Sequence, residues 1–316
     1  MSDQEVERIK DEHFDAISES EVWMIVRQGD RFQIQHWVSK WPTVQKIIYV
    51  LLVLFGVCRE KRCRAQFSLS TGTIMEATHL RADQWCIAVW MLINCRNGVS
   101  SCEIARTVGC KQQSAWHLLH RARALLTPDV QQERFHGTCE TDWTYVGGLM
   151  HFMSHERRER ARARGNKGGK AIVNAIKHRK SGKVRAVVIP FARSKHIRRE
   201  VCKHITRGSH LYTDESPVHD WMQESWFVHK SVNHKHRYVD GKVHTNGCEN
   251  FFNNLRRALK GTYIKPAPEH LGAYVDEAVF RFNIRGESEW ARFDAAMRRM
   301  VGKRLTYADL TDGATR

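Results

Sequence analysis

The chain has 316 residues, 42% of them hydrophobic, which suffices for two or three packed units and excludes an intrinsically disordered protein. It carries 51 Lys and Arg against 34 Asp and Glu, a net charge of +17. An excess of this size indicates a polyanionic partner, most simply nucleic acid, because basic clusters bind phosphates and release counterions. The alternative is a surface that is charged only for solubility.

The cysteines and the apolar segments exclude several other classes of protein. Nine cysteines are scattered without a C-x-x-C pair, and Cys58 with Cys63 would supply only half of a structural zinc site, so zinc is not expected. We expect no secretory leader, and the longest apolar run, residues 47–57, is too short to span a bilayer. We therefore expect a cytoplasmic, nucleoid-associated protein with reduced thiols and no membrane partner. A helix is predicted over residues 11–27.

Residues 100–126 have the pattern of a helix-turn-helix. Ser100 and Glu103 have the spacing of a capping box, and Gly109 suits the tight turn between the two helices. The residues expected to face inward are Ile104, Ala105, Val108, Ala115, Trp116 and Leu119. The outward residues of the second helix, which can donate to phosphates and base edges, are Lys111, Gln112, Gln113, His117 and Arg121. The alternative is a plain helical hairpin with a solvated polar face.

Residues 138–148 favour a β-strand that ends at a Gly pair. Asp142 lies near the centre of this strand, where an ionised carboxylate is costly unless it meets a cation or several donors. Two simpler interpretations stay open for Asp142: it begins a turn, or it belongs to one ion pair. The strand is followed by residues 155–170, in which five Arg and two Lys outweigh two Glu.

We interpret residues 155–170 as a mobile basic loop that grips a nucleic-acid backbone, and a merely solvated loop is the alternative. The cations that would bind phosphate are Arg157, Arg158, Arg160, Arg162, Arg164, Lys167 and Lys170. Two strands over 171–177 and 184–190, a helix near 195–205 and a strand over 210–213 come next. This order predicts an α/β sheet with helices on its faces.

Two further acidic residues occupy positions suited to a functional site. Asp214 directly follows a strand, at the edge where open α/β sheets gather their ligands, and a helix N-cap is its simpler role. Glu249 begins a helix, with Arg256 and Lys260 further along the same stripe, and it could also be a cap. Clustered carboxylates repel unless a cation neutralises them, and oxygen ligands select Mg²⁺ or Mn²⁺. Two such ions could promote phosphodiester chemistry.

The order of short blocks along the chain resembles the insertion-sequence DDE transposases of the ISXO type. The blocks include Phe67-Ser-x-x-x-Gly-Thr73, Asp142-x-Thr-Tyr-Val-Gly-Gly148, Thr213-Asp-Glu215, Val232-Asn-His234, Glu249-Asn-Phe251, Gly261-Thr-Tyr263 and His270-Leu-x-x-Tyr-Val-Asp-Glu277. The four-cysteine zinc ribbon of the family is missing, which indicates a degenerate N-terminal region. The resemblance implies an RNase H-like mixed sheet flanked by helices and preceded by a helix-turn-helix domain.

The resemblance also implies a function and a site. Asp142, Asp214 and Glu249 would bind Mg²⁺ or Mn²⁺, and Arg256 stands where the family often has Lys. The chain would cut insertion-sequence ends and join them to target DNA. Double-stranded DNA would be its partner, and the chain could form a homo-oligomer on that DNA. A related nuclease without strand transfer and a catalytically silent DNA-binding derivative are the alternatives.

Four segments are predicted along the chain. They are a module of undetermined fold over 1–70, a helix-turn-helix domain over 71–130, an RNase H-like catalytic domain over 131–290 and a tail over 291–316. We further predict that Asp142, Asp214 and Glu249 converge on one site, although 72 and 35 residues separate them along the chain.

Overall fold

The structure is a computed structural model of the chain. It describes residues 24–28, 31–36, 55–57, 66–68, 70–128, 133–147, 154–156, 158–159, 170–222, 226–232, 243–264 and 266–311. The chain divides into two compact units, residues 1–87 with 300–304 and residues 88–299 with 305–316.

The first unit contains two small antiparallel sheets. Strands β1 (Met24–Gln28) and β2 (Arg31–His36) form one, and β3 (Phe55–Val57) and β4 (Gln66–Ser68) form the other. The helix predicted over residues 11–27 is therefore wrong at its C-terminal end, because residues 24–27 bond to β2 instead of to a preceding helical turn. Isolated helical periodicity is weak evidence where β-branched residues such as Ile25 and Val26 can pair with a neighbouring strand.

The predicted helix-turn-helix pair is present. After α1 (Ala82–Asn94) come α2 (Ser101–Val108) and α3 (Gln112–Leu126). The Ser100 hydroxyl accepts from the Glu103 backbone N–H at 3.1 Å, and Gly109 ends α2 in the left-handed conformation with φ of 70°. Both features confirm the start and the turn that the sequence indicates.

The second unit is built around a five-stranded sheet with the order β7-β6-β5-β8-β9. Its strands are β5 (Thr138–Val146), β6 (Ala171–His178), β7 (Val184–Ile189), β8 (His210–Asp214) and β9 (Val228–Val232). Strand β6 runs antiparallel to its neighbours β5 and β7, whereas β8 and β9 run parallel to β5. Strand β9 was not expected from the sequence, because its pattern of His, Lys and Ser is too polar to predict a strand.

Helices cover both faces of this sheet. They are α4 (Ser194–His204), α5 (Asn246–Gly261) and α6 (Leu271–Asn283), and the chain continues through α7 (Glu289–Met297) and α8 (Tyr307–Thr311). Val173 and Ala175 of β6 belong to the core under α5 and α6, whereas Ile172 and Ile176 belong to the core under α4. Successive side chains of a strand point to opposite faces, so this sheet is buried on both sides. The expected mixed sheet flanked by helices is confirmed.

Among the described residues, no helix is long and apolar enough to cross a membrane.

Candidate active site

Asp142 and Asp214 occupy matching positions on two neighbouring strands. The parallel ladder of β5 and β8 pairs Thr138 with His210 and Glu140 with Tyr212, an offset of 72 residues. Continued by two residues, the same register sets Asp142 opposite Asp214. Residues at the same level of adjacent parallel strands point to the same face of the sheet, and adjacent strands lie about 5 Å apart. The register therefore brings the first two acids together.

Helix α5 lies along the face of β5 that carries Asp142. At one end, the Glu140 carboxylate accepts from the Gly247 backbone N–H at 2.8 Å, and at the other the Arg256 guanidinium donates to the Thr144 hydroxyl. Nine helical residues rise about 13.5 Å, and four strand residues span about 13 Å. These two contacts are consistent with a helix running alongside the strand, with Asp142 between them.

Glu249 lies in the first turn of α5, half-buried and close enough to Asp142 to act on its charge. Burial and the carboxylate of Asp214 raise the pKa of Asp142 to about 7. The backbone N–H of Trp143 and the Arg256 guanidinium oppose this rise, and the Glu249 carboxylate adds to it. The electrostatic influence of both other acids on Asp142 shows that the three carboxylates, from two strands and a helix, share one neighbourhood.

Asp214 has local partners as well. Its Oδ1 lies 3.2 Å from His219 Nε2, and it accepts from the Ser216 backbone N–H at 3.4 Å. His219 is almost completely buried, in the short 3₁₀ helix Pro217–Met222. Asp214 therefore bonds to the segment that follows it as well as lying opposite Asp142. Its simpler role as a helix N-cap stays a prediction, since the 3₁₀ helix begins only at Pro217.

The ligand chemistry of the site suits a hard divalent cation, because three carboxylates offer only oxygen atoms, and the charges of Asp214 and Glu249 add to the burial that raises the pKa of Asp142. In the parts of the chain that the structure describes, however, no three His, Cys, Asp or Glu side chains form a group that could hold a metal ion as they stand. Metal binding by Asp142, Asp214 and Glu249 stays a prediction.

The exposed side of α5 forms a shallow basic groove. Its lining residues are Asn253, Arg256, Arg257, Lys260 and Gly261. Arg256 is held by the Thr144 hydroxyl and by Asn253 Oδ1, to which it donates at 3.2 Å. The groove therefore places cations about two to three helical turns beyond Glu249, as the stripe in the sequence indicates.

The stretch that holds the three acids is similar to known transposase proteins. A family model described as "ISXO2-like transposase domain" matches residues 134–283, which include all three acids. A "transposase-like protein" of Haemophilus influenzae is 31% identical over 101 residues, covering 32% of this chain and 81% of that protein. The chain belongs to the ISXO2-like transposase family. A protein in transposable element ISH50 of Halobacterium salinarum is 25% identical over 208 residues, 63% of this chain and 69% of that protein.

Two solved structures overlap with parts of this transposase-family chain. One is a simian T-cell lymphotropic virus intasome in complex with PP2A regulatory subunit B56 gamma, with 15% identity and a TM-score of 0.29. It matches 56% of this chain, which spans 63% of the length of the matched chain. The other is the HTLV-2 integrase catalytic core domain in complex with magnesium, with 11% identity, a TM-score of 0.27, and coverage of 51% and 98%.

The DNA-binding face predicted for the helix-turn-helix of this transposase-family chain is only partly exposed. Lys111, Gln112 and Gln113 are exposed, and His117 is half-buried with its ring against Tyr307. The exposure expected for Arg121 is wrong, because this side chain is only 5% exposed. Helix α3 packs against α2, α6 and α7, and almost every position of its second half, from Leu118 onward, is buried.

The basic loop lies mostly outside the described residues. The loop residues outside the described part of the chain are Arg157, Arg160, Arg162, Arg164 and Lys167, among others. Arg158 is half-buried, and the Lys170 ammonium lies 5.8 Å from the ring centroid of Tyr145, at the end of β5. Lys170 therefore stands beside the strand that carries Asp142, while phosphate binding by the loop stays a prediction.

Sequence analysis missed four residues that support the acids: Glu140, Thr144, Arg179 and His219. Strand β5 carries two inward carboxylates, and Glu140, at 1% exposure, is the more buried. The spacing Glu-x-Asp-x-Thr puts Glu140, Asp142 and Thr144 on one face of a strand, which was a usable signal. Arg179 and His219 are separated from their partners by tens of residues or by a turn, so only the folded chain shows their roles.

Proposed function

We propose that this chain is a metal-dependent polynucleotidyl transferase that cuts DNA at the ends of an insertion sequence and joins the freed 3′-hydroxyls to target DNA. The observation that supports it best is the meeting of Asp142, Asp214 and Glu249 in one half-buried neighbourhood with a basic groove beside it. Membership of a transposase family supports the same reaction class.

The three carboxylates would hold Mg²⁺ or Mn²⁺. Bound divalent cations would lower the barrier to phosphodiester exchange by stabilising charge on the attacking and leaving oxygens. For this chain, a cation would also remove the repulsion that raises the pKa of Asp142. Binding the cation that the reaction needs would thus also stabilise the three clustered carboxylates in their ionised form.

Arg256 and Lys260 would bind the phosphates that flank the scissile bond. Both lie on the exposed side of α5, and Arg256 is oriented by Thr144 and Asn253. In cleavage, a water oxygen bonds to phosphorus and the bond from phosphorus to the 3′ oxygen breaks, so that oxygen takes up a proton. In joining, the new 3′-hydroxyl attacks a target phosphorus, loses its proton and displaces a 3′ oxygen of the target.

Double-stranded DNA, as element end and as target, is the proposed partner. The exposed start of α3, with Lys111, Gln112 and Gln113, would contact the element end, because a second helix of this kind enters the major groove by its N-terminal residues. We further propose that a homo-oligomer of the chain acts on the two element ends.

The test is a strand-cleavage and joining assay on duplexes that carry the ends of the element, with Mg²⁺ or Mn²⁺ added. Asp142→Asn should abolish both products and leave DNA affinity unchanged, because the phosphate contacts come from other residues. Asp294→Asn, which removes an exposed carboxylate of α7, is the matched control and should retain activity. Cleavage without joining would favour the nuclease, and DNA binding without any cleavage by the unchanged protein would favour the silent derivative.

A further inference from the structure

Glu140 is a buried carboxylate that bonds to another element of the fold. It lies on β5 with only 1% of its surface exposed. Its Oε2 accepts from the backbone N–H groups of Gly247 at 2.8 Å and Cys248 at 3.3 Å, and its Oε1 accepts from Arg179 Nε at 2.7 Å. Both main-chain donors belong to the first turn of α5.

The start of α5 needs such an acceptor. The first N–H groups of a helix have no partner within the helix, and the N-cap residue commonly supplies one. Thr245, the N-cap of α5, makes no capping bond with its side chain. Glu140 therefore caps the helix from the neighbouring strand, and its negative charge lies at the positive end of the helix dipole.

Arg179 fixes the Glu140 carboxylate in this position. Its guanidinium also donates to the His244 carbonyl at 2.8 Å, just before α5, and lies 4.6 Å from the ring centroid of Tyr212. Tyr212 is the residue of β8 that pairs with Glu140. A single ion pair, between the half-buried Arg179 and the buried Glu140, thus connects β5, β8 and the segment that leads into α5.

The junction between Glu140 and α5 has no room for a side chain at residue 247. A Cβ on Gly247 would lie 2.5 Å from Glu140 Oε2 and 2.4 Å from Lys177 Nζ. Contacts that short force a neighbour to move. The Lys177 side chain can move, whereas the Glu140 carboxylate is held by Arg179, so the close approach of the helix to the strand depends on glycine here.

Each end of this contact adjoins an acid of the candidate active site. Glu140 is two residues before Asp142, on the same face of β5, and Cys248 directly precedes Glu249. We propose that Glu140 is a positioning residue: by capping α5 from β5, it sets the position of the Glu249 carboxylate relative to Asp142 and Asp214. This inference rests on the proposed function, because it concerns the geometry of the proposed metal site.

The test measures Mn²⁺ affinity by titration calorimetry, together with strand cleavage, for Glu140→Gln and Glu140→Ala. Gln keeps one acceptor for the α5 N–H groups, whereas Ala keeps none. Mn²⁺ affinity should therefore decrease from the unchanged protein to Glu140→Gln and further to Glu140→Ala. The loss should be roughly tenfold to a hundredfold, the usual effect of removing a residue that supports a metal ligand. Gly247→Ala, which keeps Glu140 but displaces the start of α5, should also weaken Mn²⁺ binding.

Glu277→Gln is the matched control. Glu277 is another buried carboxylate bonded to an arginine, but its recorded partners are Arg123, Arg281 and Tyr263 rather than the first turn of α5. Once folded, this variant should keep its Mn²⁺ affinity although it loses stability.

Three results would overturn the proposal. They are full Mn²⁺ affinity in folded Glu140→Ala, an equal loss of affinity in Glu277→Gln, and full affinity in Gly247→Ala if neither Glu140 variant folds. If the unchanged protein neither binds Mn²⁺ nor cleaves DNA, the proposed function fails, and the positioning role fails with it. Mn²⁺ binding by the unchanged protein separates the two cases.

Discussion

Arg123 Nε lies 2.8 Å from Glu277 Oε2, and both side chains are fully buried. The pair joins α3, the second helix of the helix-turn-helix, to α6, which packs on the central sheet. Arg281 Nη2 is 3.0 Å from Glu277 Oε1, which also accepts from the Tyr263 hydroxyl. The helix that would read DNA is thus bonded directly to the part of the chain that holds the acids.

Glu277→Gln should therefore destabilise the protein strongly, because it leaves the Arg123 charge buried without a charged partner. A loss of about 3–5 kcal/mol in the free energy of unfolding is expected, measured by urea denaturation. Asp294→Asn breaks the exposed pair between Asp294 and Arg298 and should cost less than about 1 kcal/mol. Equal effects of the two substitutions would show that the buried pair contributes no more than a surface one.

The exposed start of α3 should carry affinity for element-end DNA. Replacing Lys111 and Gln113 with Ala should weaken binding at fixed salt by roughly tenfold or more, since phosphate and base-edge donors are lost. Lys183→Ala, in the turn after β6, removes an exposed lysine outside this face and should change affinity little. Because Arg121 is buried, its replacement should lower stability instead, and a binding loss without instability would contradict its place in the fold.

Asp142→Asn should stabilise the metal-free protein at pH 8. The folded state holds a proton on Asp142 up to a pKa of about 7, well above the range for an unfolded chain, so ionisation costs stability as the pH rises from about 4 to 7. The variant avoids that cost at pH 8 by up to a few kcal/mol and gains nothing at pH 4. Thermal unfolding at both pH values measures the difference, and a gain at pH 4 only would reverse the sign.

Arg256 should be more sensitive to its shape than to its charge alone. Arg256→Lys keeps the charge but cannot donate to Thr144 and Asn253 at the same time, as the guanidinium does. The cleavage rate should therefore fall in Arg256→Lys and fall further in Arg256→Ala, to roughly a hundredth of the rate of the unchanged protein. Arg298→Ala is the control, because Arg298 lies outside the basic groove and pairs with the exposed Asp294 of α7. Full cleavage by Arg256→Ala would remove Arg256 from the site.

Much of the local structure follows from the sequence by itself. Residues that are close along the chain determine the capping box at Ser100, the left-handed turn at Gly109 and the strand that carries Asp142. The three acids were also recognisable, because each stands at the centre or end of a predicted element and inside a block of family resemblance. Strand β9 could not be predicted, since an edge strand of His, Lys and Ser depends on β8 for its hydrogen bonds.

Only the tertiary structure decided which of those residues lie together and which are buried. The offset of 72 residues between β5 and β8, which sets Asp142 opposite Asp214, is a pairing register that local patterns do not contain. Arg121 has an outward position on an isolated helix, yet it is buried in the folded chain. Glu140 looks like an ordinary acid in a strand until α5 brings its unsatisfied N–H groups to that carboxylate. Such contacts depend on strand register and helix packing, which are settled by burying apolar faces over the whole domain rather than by the residues near one position.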